Sequence, residues 1–203
     1  MLLTTLGRVR ELLKFKATDV SADPLLSRLI VEASASIESY IERSVEKVAR
    51  TQDFDVENGQ KRLWLPAFPI ASVASVYNDV DRVFPVNSLI AASDYVVYMS
   101  EGKIDLRNAF VTGGPLALRI TYTGGIATDV NDLVLQAPDL ALATEMQVAY
   151  LFQRKNLFGA TGANMQGGSV SLDKAGTGLK DGIIPEARGI LDRYRRFVGS
   201  PGN

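Results

Sequence analysis

The side chains that could support catalysis are carboxylates, because the chain of 203 residues contains no histidine and no cysteine. This composition leaves no thiol nucleophile, no imidazole base and none of the usual ligands of zinc, haem or iron–sulfur clusters. The acidic residues that lie close together in sequence form three groups. They are Asp53 with Asp55 and Glu57, Asp79 with Asp81, and Asp129 with Asp132. Two carboxyl groups brought together by the fold could act as a general acid and a general base, as in a glycosidase.

Each acidic group also has a simpler interpretation. The first resembles the start of a calcium-binding loop, but Trp64 stands at the twelfth position, where such a loop needs a bidentate glutamate. The other two lie beside asparagine or at predicted turns, where short acidic side chains accept hydrogen bonds from the nearby backbone. The residues therefore favour structural roles, and we predict no metal, no cofactor and no catalytic residue. A carboxylate-dependent hydrolase that uses distant Asp or Glu residues is the alternative.

A segment rich in glycine is the second place where chemistry could reside. Residues 159–182 contain seven of the 17 glycines, but they match neither GxxxxGK[ST] nor GxGxxG, the two common phosphate-binding patterns. A connection of this length is usually functional or disordered. We therefore predict a long loop that is either flexible or ordered by a partner.

The overall composition sets further bounds. Apolar residues make up 46% of the chain, which is enough for one well-buried core, and the formal net charge is −1. A dedicated nucleic-acid-binding protein would carry a strongly positive field, which this chain lacks. Every apolar stretch is broken by charge before it reaches the length of a membrane span. We expect a soluble protein that is made in a cytoplasm and has no contact with a membrane.

Hydrophobic periodicity predicts the elements that position these residues. Apolar residues recur at helical spacing over 5–14 and 24–43, whereas strict alternation over Leu116–Tyr122 predicts a strand. Further strands are predicted at 63–65, 70–77, 95–99 and 104–106. A helix over 139–156 is apolar nearly all round, and a last helix is predicted from Pro185 to about Val198.

These elements predict an α+β fold, in which a helical core carries an inserted small antiparallel β-sheet and a C-terminal helix. We expect a single domain over 1–203. Its predicted parts are N-terminal helices at 1–44, a β-rich insert at 45–125, a central helix at 137–158, a long Gly-rich loop at 159–183, and a C-terminal helix and tail at 184–203.

The order of the elements and several sequence stretches carry a resemblance. The stretches are IESYIER at 37–43, LWLPAFPIASV at 63–73, RITYTGG at 119–125, YLFQR at 150–154, GSVS at 168–171 and ILDRYR at 190–195. Together they resemble the tailed-phage head-tail connector family, also called adaptor or head completion proteins, and its longer, sheet-containing members most closely. The similarity covers most of the chain and rests on packing and turn residues.

The resemblance implies a structural virion protein without catalysis, located in the neck at the head-tail interface and assembled in the host cytoplasm. It implies a homo-oligomeric ring, commonly a dodecamer, which docks on the portal protein and offers a platform to the tail or to head-tail joining proteins. DNA would pass through the channel of this ring without sequence-specific binding. A tail-side completion or terminator protein is the alternative within the same virion.

The resemblance also implies candidate contact residues. The C-terminal segment of such adaptors commonly reaches the portal, whereas composition alone is typical of a solvated helix face favoured by the helix dipole. The candidate portal contacts are Arg188, Arg193, Tyr194, Arg195, Arg196 and Phe197. The candidates for a contact between subunits or for the channel lining are Gly167, Gly168, Ser169, Val170 and Ser171.

Overall fold

The computed structural model describes residues 1–107, 109–154 and 182–195, together with the backbone of two short strands at 163–165 and 168–170. The chain divides into two compact units. The helical unit consists of Met1–Glu42 and Asp129–Arg195, and the β unit consists of Arg43–Thr128. The α+β class predicted from the sequence is confirmed, whereas the single domain over the whole chain stays a prediction.

The described part of the helical unit contains five helices. They are α1 (Leu6–Leu12), α2 (Asp23–Ile41), α3 (Val130–Gln136), α4 (Pro138–Arg154) and α5 (Pro185–Leu191). Helix α4 contacts each of the other four and is therefore the central helix of this unit. None of the described helices is long and apolar enough to span a membrane.

The apolar stripe of α2 forms much of the core of the helical unit. Leu26, Leu29, Ile30 and Ala33 recur at spacings of three and four residues and are all buried against Val148 of α4. At the edge of this cluster the rings of Phe15 and Phe152 meet edge to face, with their centroids 5.7 Å apart. Burial of this continuous stripe holds the helices together, because shielding apolar surface from water is the main favourable term in folding.

The polar face of α4 differs from the sequence-based interpretation. The sequence leaves this helix little polar face beyond Thr144, Glu145, Gln147 and Gln153, and the first three of these are buried. Instead Leu142 is 41% exposed. The buried polar groups are tolerated because each has a hydrogen-bond partner, and two of them bind parts of the chain that are distant in sequence.

The β unit contains two three-stranded antiparallel sheets, where the sequence predicts one. The first has the order β1-β6-β3, built from β1 (Val48–Val56), β6 (Gly114–Gly124) and β3 (Ile70–Asn78). The second has the order β2-β5-β4, built from β2 (Arg62–Trp64), β5 (Lys103–Leu106) and β4 (Tyr95–Tyr98). Strand β1 and helix α3 have no counterpart among the predicted elements.

The two sheets share one hydrophobic core. Leu118, Ile120 and Tyr122 of β6 are fully or almost fully buried, as their alternation predicts, and they pack with Leu63 of β2 and Ile104 of β5. The predicted alternation is wrong at the start of the strand, where Leu116 is 42% exposed and Ala117 is buried. Because β6 is hydrogen-bonded on both sides, to β1 and to β3, it is the central strand of its sheet. The loops at both ends of this sheet therefore begin or end next to β6.

Two predicted parts of the C-terminal region need correction. Within the predicted loop at 159–183, the backbone forms an antiparallel ladder between β7 (Ala163–Met165) and β8 (Gly168–Val170). Strands of three residues are too short to show a period of two in the sequence. The last helix, predicted to reach about Val198, ends at Leu191, where tight turns replace helical hydrogen bonds.

Candidate functional site

Four of the six candidate portal contacts lie among the described residues. Arg188 lies on α5, where its guanidinium donates to the carbonyl of Ile183 at 3.0 Å. Arg193, Tyr194 and Arg195 follow the end of the helix, so they do not lie on the helical face that the sequence predicts. Arg196 and Phe197 lie outside the described residues.

Side chains of the helical unit hold this C-terminal turn in place. The Tyr40 hydroxyl, near the end of α2, donates to a carboxylate oxygen of Asp192 at 2.6 Å. The Tyr194 hydroxyl donates to the Asp139 carboxylate at the start of α4. Burial of Tyr40, together with its hydrogen bond to the Asp192 carboxylate, raises the pKa of that phenol, because both effects oppose formation of the phenolate. Tyr40 therefore remains a hydrogen-bond donor at neutral pH.

The two arginines of the turn are paired but remain accessible. Arg193 contacts Asp139 at 3.1 Å, and Arg195 contacts Glu42 at 3.4 Å while its guanidinium lies 5.4 Å from the centre of the Tyr40 ring. Their side chains are 64% and 49% exposed. Exposed ion pairs are worth little and exchange partners readily. These guanidinium groups can therefore be engaged by acidic groups of another protein.

A polar groove lies beside Arg195. Its volume is about 600 Å³, and its walls come from the exposed side of α2 and from the C-terminal turn. The lining residues are Ala35, Ser36, Ser39, Tyr40, Glu42 and Arg195. Hydroxyl groups, a carboxylate and a guanidinium provide hydrogen-bonding groups of both kinds, as a site for a polar peptide segment requires.

Sequence reasoning identified the arginines of this site but missed their partners. Tyr40 and Glu42 occur in the stretch IESYIER at 37–43, which carries part of the resemblance. The sequence therefore marked this stretch, but it did not indicate that these two residues contact the C-terminal turn. Asp139 and Asp192 could not be paired with Tyr194 and Tyr40 from sequence, because 55 and 152 residues separate them.

The candidates of the glycine-rich segment are only partly described. Gly168, Ser169 and Val170 form strand β8, in which they pair with Met165, Asn164 and Ala163 of β7. Gly167 and Ser171 lie outside the described residues. The role of these five positions in a subunit contact or a channel lining stays a prediction.

The acidic groups that could have supported catalysis have structural partners. Both oxygens of Asp53 accept hydrogen bonds from Arg119, at 2.7 and 2.8 Å. The Asp79 carboxylate accepts from three backbone amides of the loop that follows it, and Asp129 caps the start of α3. Among the described residues, no group of three or more acidic side chains is arranged to hold a metal ion. These contacts match the structural interpretation made from the sequence.

The pair between Asp53 and Arg119 predicts a dependence of stability on pH. Hydrogen bonds from the guanidinium hold the pKa of Asp53 below its usual value in the folded chain. The pair therefore stabilises the fold above about pH 4, and the contribution is lost as the pH falls below that value. Thermal unfolding of the wild type and of Asp53→Asn is expected to differ most near neutral pH. A difference in melting temperature that stays constant down to pH 3 would contradict this.

Comparison with known proteins identifies the family to which this chain belongs. A model of the family described as "Head completion protein" matches residues 2–197. The chain belongs to the head completion protein family. This confirms the resemblance found in the sequence, including its extent over nearly the whole chain.

Solved structures share the fold of this head completion protein. The chain is 18% identical to one in the "Neck of empty GTA particle computed with C6 symmetry", with a TM-score of 0.62 over 98% of this chain and 93% of that one. It is 17% identical to one in the "Neck of native GTA particle computed with C12 symmetry", with a TM-score of 0.59 over 98% and 92%. A chain of the "Virion of native gene transfer agent (GTA) particle" is 16% identical, with a TM-score of 0.60 over 98% and 93%. A comparison with curated proteins finds no match.

Proposed function

We propose that this head completion protein forms a ring of identical copies in the neck of a tailed, phage-like particle. The ring lies between the portal and the tail, extends the DNA channel and has no catalytic role. The family match over residues 2–197 carries the proposal. The fold shared with chains from particle necks computed with C6 and C12 symmetry supports a ring, and twelve copies is the number we favour.

The charge of the chain is compatible with a channel protein. A formal net charge of −1 leaves no strong positive field, so the ring would not hold DNA through the release of counterions. Binding to the portal then depends on local groups. The exposed guanidinium groups of Arg193 and Arg195, beside the polar groove, are the described groups that we assign to this contact.

Quantitative mass spectrometry of purified particles tests the proposed location. We expect about twelve copies of this chain per particle, counted against the portal and the major capsid protein. The chain should remain with heads that lack tails, because a connector joins the head first. Its presence on isolated tails and absence from tailless heads would instead indicate a tail-side terminator protein. Absence from all particles would contradict the proposal.

Binding to the portal should depend on the C-terminal arginines. The double variant Arg193→Ala, Arg195→Ala is expected to bind purified portal at least about tenfold more weakly, because two charged contacts are lost. The matched control is Arg28→Ala, since Arg28 is an exposed arginine paired with Glu32 on α2. Circular dichroism should show that both variants are folded. Equal binding by the wild type and the double variant would remove the two arginines from the interface.

A further inference from the structure

Exposed apolar side chains are concentrated at one end of the β unit. At this end β1 reaches Val56, which pairs with Gly114 at the start of β6, and β3 ends at Asn78. The connections that meet there, together with the first residues of β6, carry large hydrophobic residues that are 42% to 83% exposed. These residues, named here the apolar tip, are Val80, Val83, Val86, Phe110 and Leu116. Isolated exposed hydrophobic residues are ordinary, but a group of five on neighbouring segments is typical of an interaction surface.

The apolar tip is held in a fixed conformation by hydrogen bonds. The Asp79 carboxylate accepts from the amides of Val83 and Phe84 at 2.9 and 2.8 Å. The Asn78 side chain exchanges two hydrogen bonds with the backbone of Thr112. The guanidinium of Arg119 lies 3.9 Å from the centre of the Phe84 ring. These contacts restrain the loops before docking, which reduces the conformational entropy that docking would cost.

The composition of the apolar tip favours a protein over a nucleic acid as its binding partner. Asp81 and Arg82, between Val80 and Val83, have opposite charges, and no residue from 83 to 93 is charged. Nucleic acid is held mainly through its phosphates by Lys and Arg, so the tip is unsuited to DNA. The partner should instead offer a recessed apolar surface that shields the valines and Phe110 from water.

The helical unit contains a recessed apolar surface of suitable size. Its volume is about 320 Å³, and it is open to solvent at the surface. This groove, named here the apolar groove, is lined mainly by Leu12, Leu13, Met146, Ala149, Tyr150 and Ile184, with Gln153 and Glu186 as its polar side chains. Leu12 is itself 42% exposed. The groove can therefore accept apolar side chains of a partner.

We infer that the apolar tip of one copy seats in the apolar groove of the next copy around the ring. This inference rests on the proposed ring. Identical subunits close a ring through two different, complementary surfaces on each copy, and the exposed apolar side chains of the tip can be shielded from water by the mainly apolar walls of the groove. Five side chains form only the centre of an interface, because a stable contact buries roughly 800 Å² on each partner.

Cross-linking of paired cysteines tests the contact directly, since the natural chain contains no cysteine. We would place Val83→Cys on the tip and Ala149→Cys in the groove, treat purified particles with a short bismaleimide, and separate the chains under denaturing conditions. A ladder of dimers, trimers and higher species is expected, because a head-to-tail contact repeats around the ring. The control pairs Val83→Cys with Val31→Cys, a residue of α2 that is 55% exposed and lies outside the groove.

Each outcome of this experiment decides between defined alternatives. A ladder from the Val83–Ala149 pair and not from the control supports the inference. Dimers from Val83→Cys alone would show tip-to-tip contact, and equal ladders from both pairs would show unspecific reaction, so either result overturns it. Particles that contain the wild-type chain but give no ladder contradict only the tip-in-groove contact. Particles that lack the wild-type chain contradict the proposed function itself.

Polar variants of the tip give a second, independent test. The double variant is Val83→Ser, Val86→Ser. Both valines are exposed in the wild type and contribute little to folding, so the variant should have the same unfolding transition as the wild type. Its incorporation into particles should fall by about tenfold or more, because two apolar side chains no longer leave water on docking. Normal incorporation would overturn the inference.

Discussion

Gly125→Ala is expected to be one of the most destabilising substitutions in this chain. Gly125 has a φ of +130°, a conformation that favours glycine, and a Cβ atom there would lie 2.6 Å from the backbone nitrogen of Lys47 and still closer to the Glu46 carbonyl. Backbone cannot move aside as a flexible side chain can. Strain and overpacking of this kind cost about 3 kcal/mol or more, which corresponds to a fall in melting temperature of about 10 °C.

The close approach at Gly125 follows from the hydrogen bonds around it. The Gly125 amide donates to the carbonyl of Pro69 at 3.0 Å, and the next amide, of Ile126, donates to Val45 at 2.7 Å. The segment after β6 is thus held between two other stretches of backbone, which leaves no room for a side chain. Thermal unfolding followed by circular dichroism measures the effect.

Gly189→Ala is the matched control for Gly125→Ala. Gly189 lies inside α5, where nothing stands within 4 Å of the position that a Cβ atom would take. Alanine is a better helix former than glycine, so this variant should be as stable as the wild type or more stable by up to about 1 kcal/mol. Equal effects of the two substitutions would show that backbone contact at Gly125 does not determine the result.

Elements with a regular apolar pattern could be predicted from sequence, and elements formed by distant pairing could not. The central strand β6 alternates over Leu118, Ile120 and Tyr122, and all three face the core. Strand β1, with the sequence VARTQDFDV, has no apolar face, because it is an edge strand with mostly exposed or half-buried residues. Its conformation comes from pairing with β6, whose paired residues lie 58 to 76 positions away in the sequence.

The same distinction applies to the candidate site. The C-terminal arginines were recognisable because charge and resemblance pointed to them, but their geometry depends on partners from α2 and α4. Continuing α5 beyond Leu191 would have placed Arg193 and Arg195 on a helix. Hydrogen bonds of Asp192 and Tyr194 to distant side chains instead accompany a turn, and periodicity contains no information about such contacts.

Two buried polar side chains of α4 bind segments that are distant in sequence, and the sequence pattern does not predict these contacts. The Gln147 amide donates to the carbonyl of Gly182 at 2.9 Å and accepts from the amide of Ile184 at 3.1 Å, so it fastens the segment that leads into α5. Glu145 fastens the N-terminal segment, because one carboxylate oxygen accepts from the Thr4 hydroxyl at 3.0 Å and from Arg8 Nε at 2.5 Å. Both residues belong to the helix at the centre of the helical unit.

Glu145→Ala is therefore expected to destabilise the protein by about 2 to 3 kcal/mol. Glu145 is 4% exposed and Thr4 is fully buried, so the substitution leaves a buried hydroxyl without its acceptor as well as removing a charged hydrogen bond. The cost stays below that of a fully buried ion pair, because the Arg8 side chain is 38% exposed and can bind water.

Urea unfolding of Glu145→Ala, Thr4→Val and the double variant measures how much of this cost belongs to the contact between the two residues. A coupling of about 1 kcal/mol is expected between Glu145 and Thr4, because removing either partner removes the same hydrogen bond. Glu32→Ala is the control, since its pair with Arg28 is exposed on both sides and should contribute less than about 0.5 kcal/mol. If Glu145→Ala is no more costly than Glu32→Ala, the buried carboxylate does not hold the N-terminal segment.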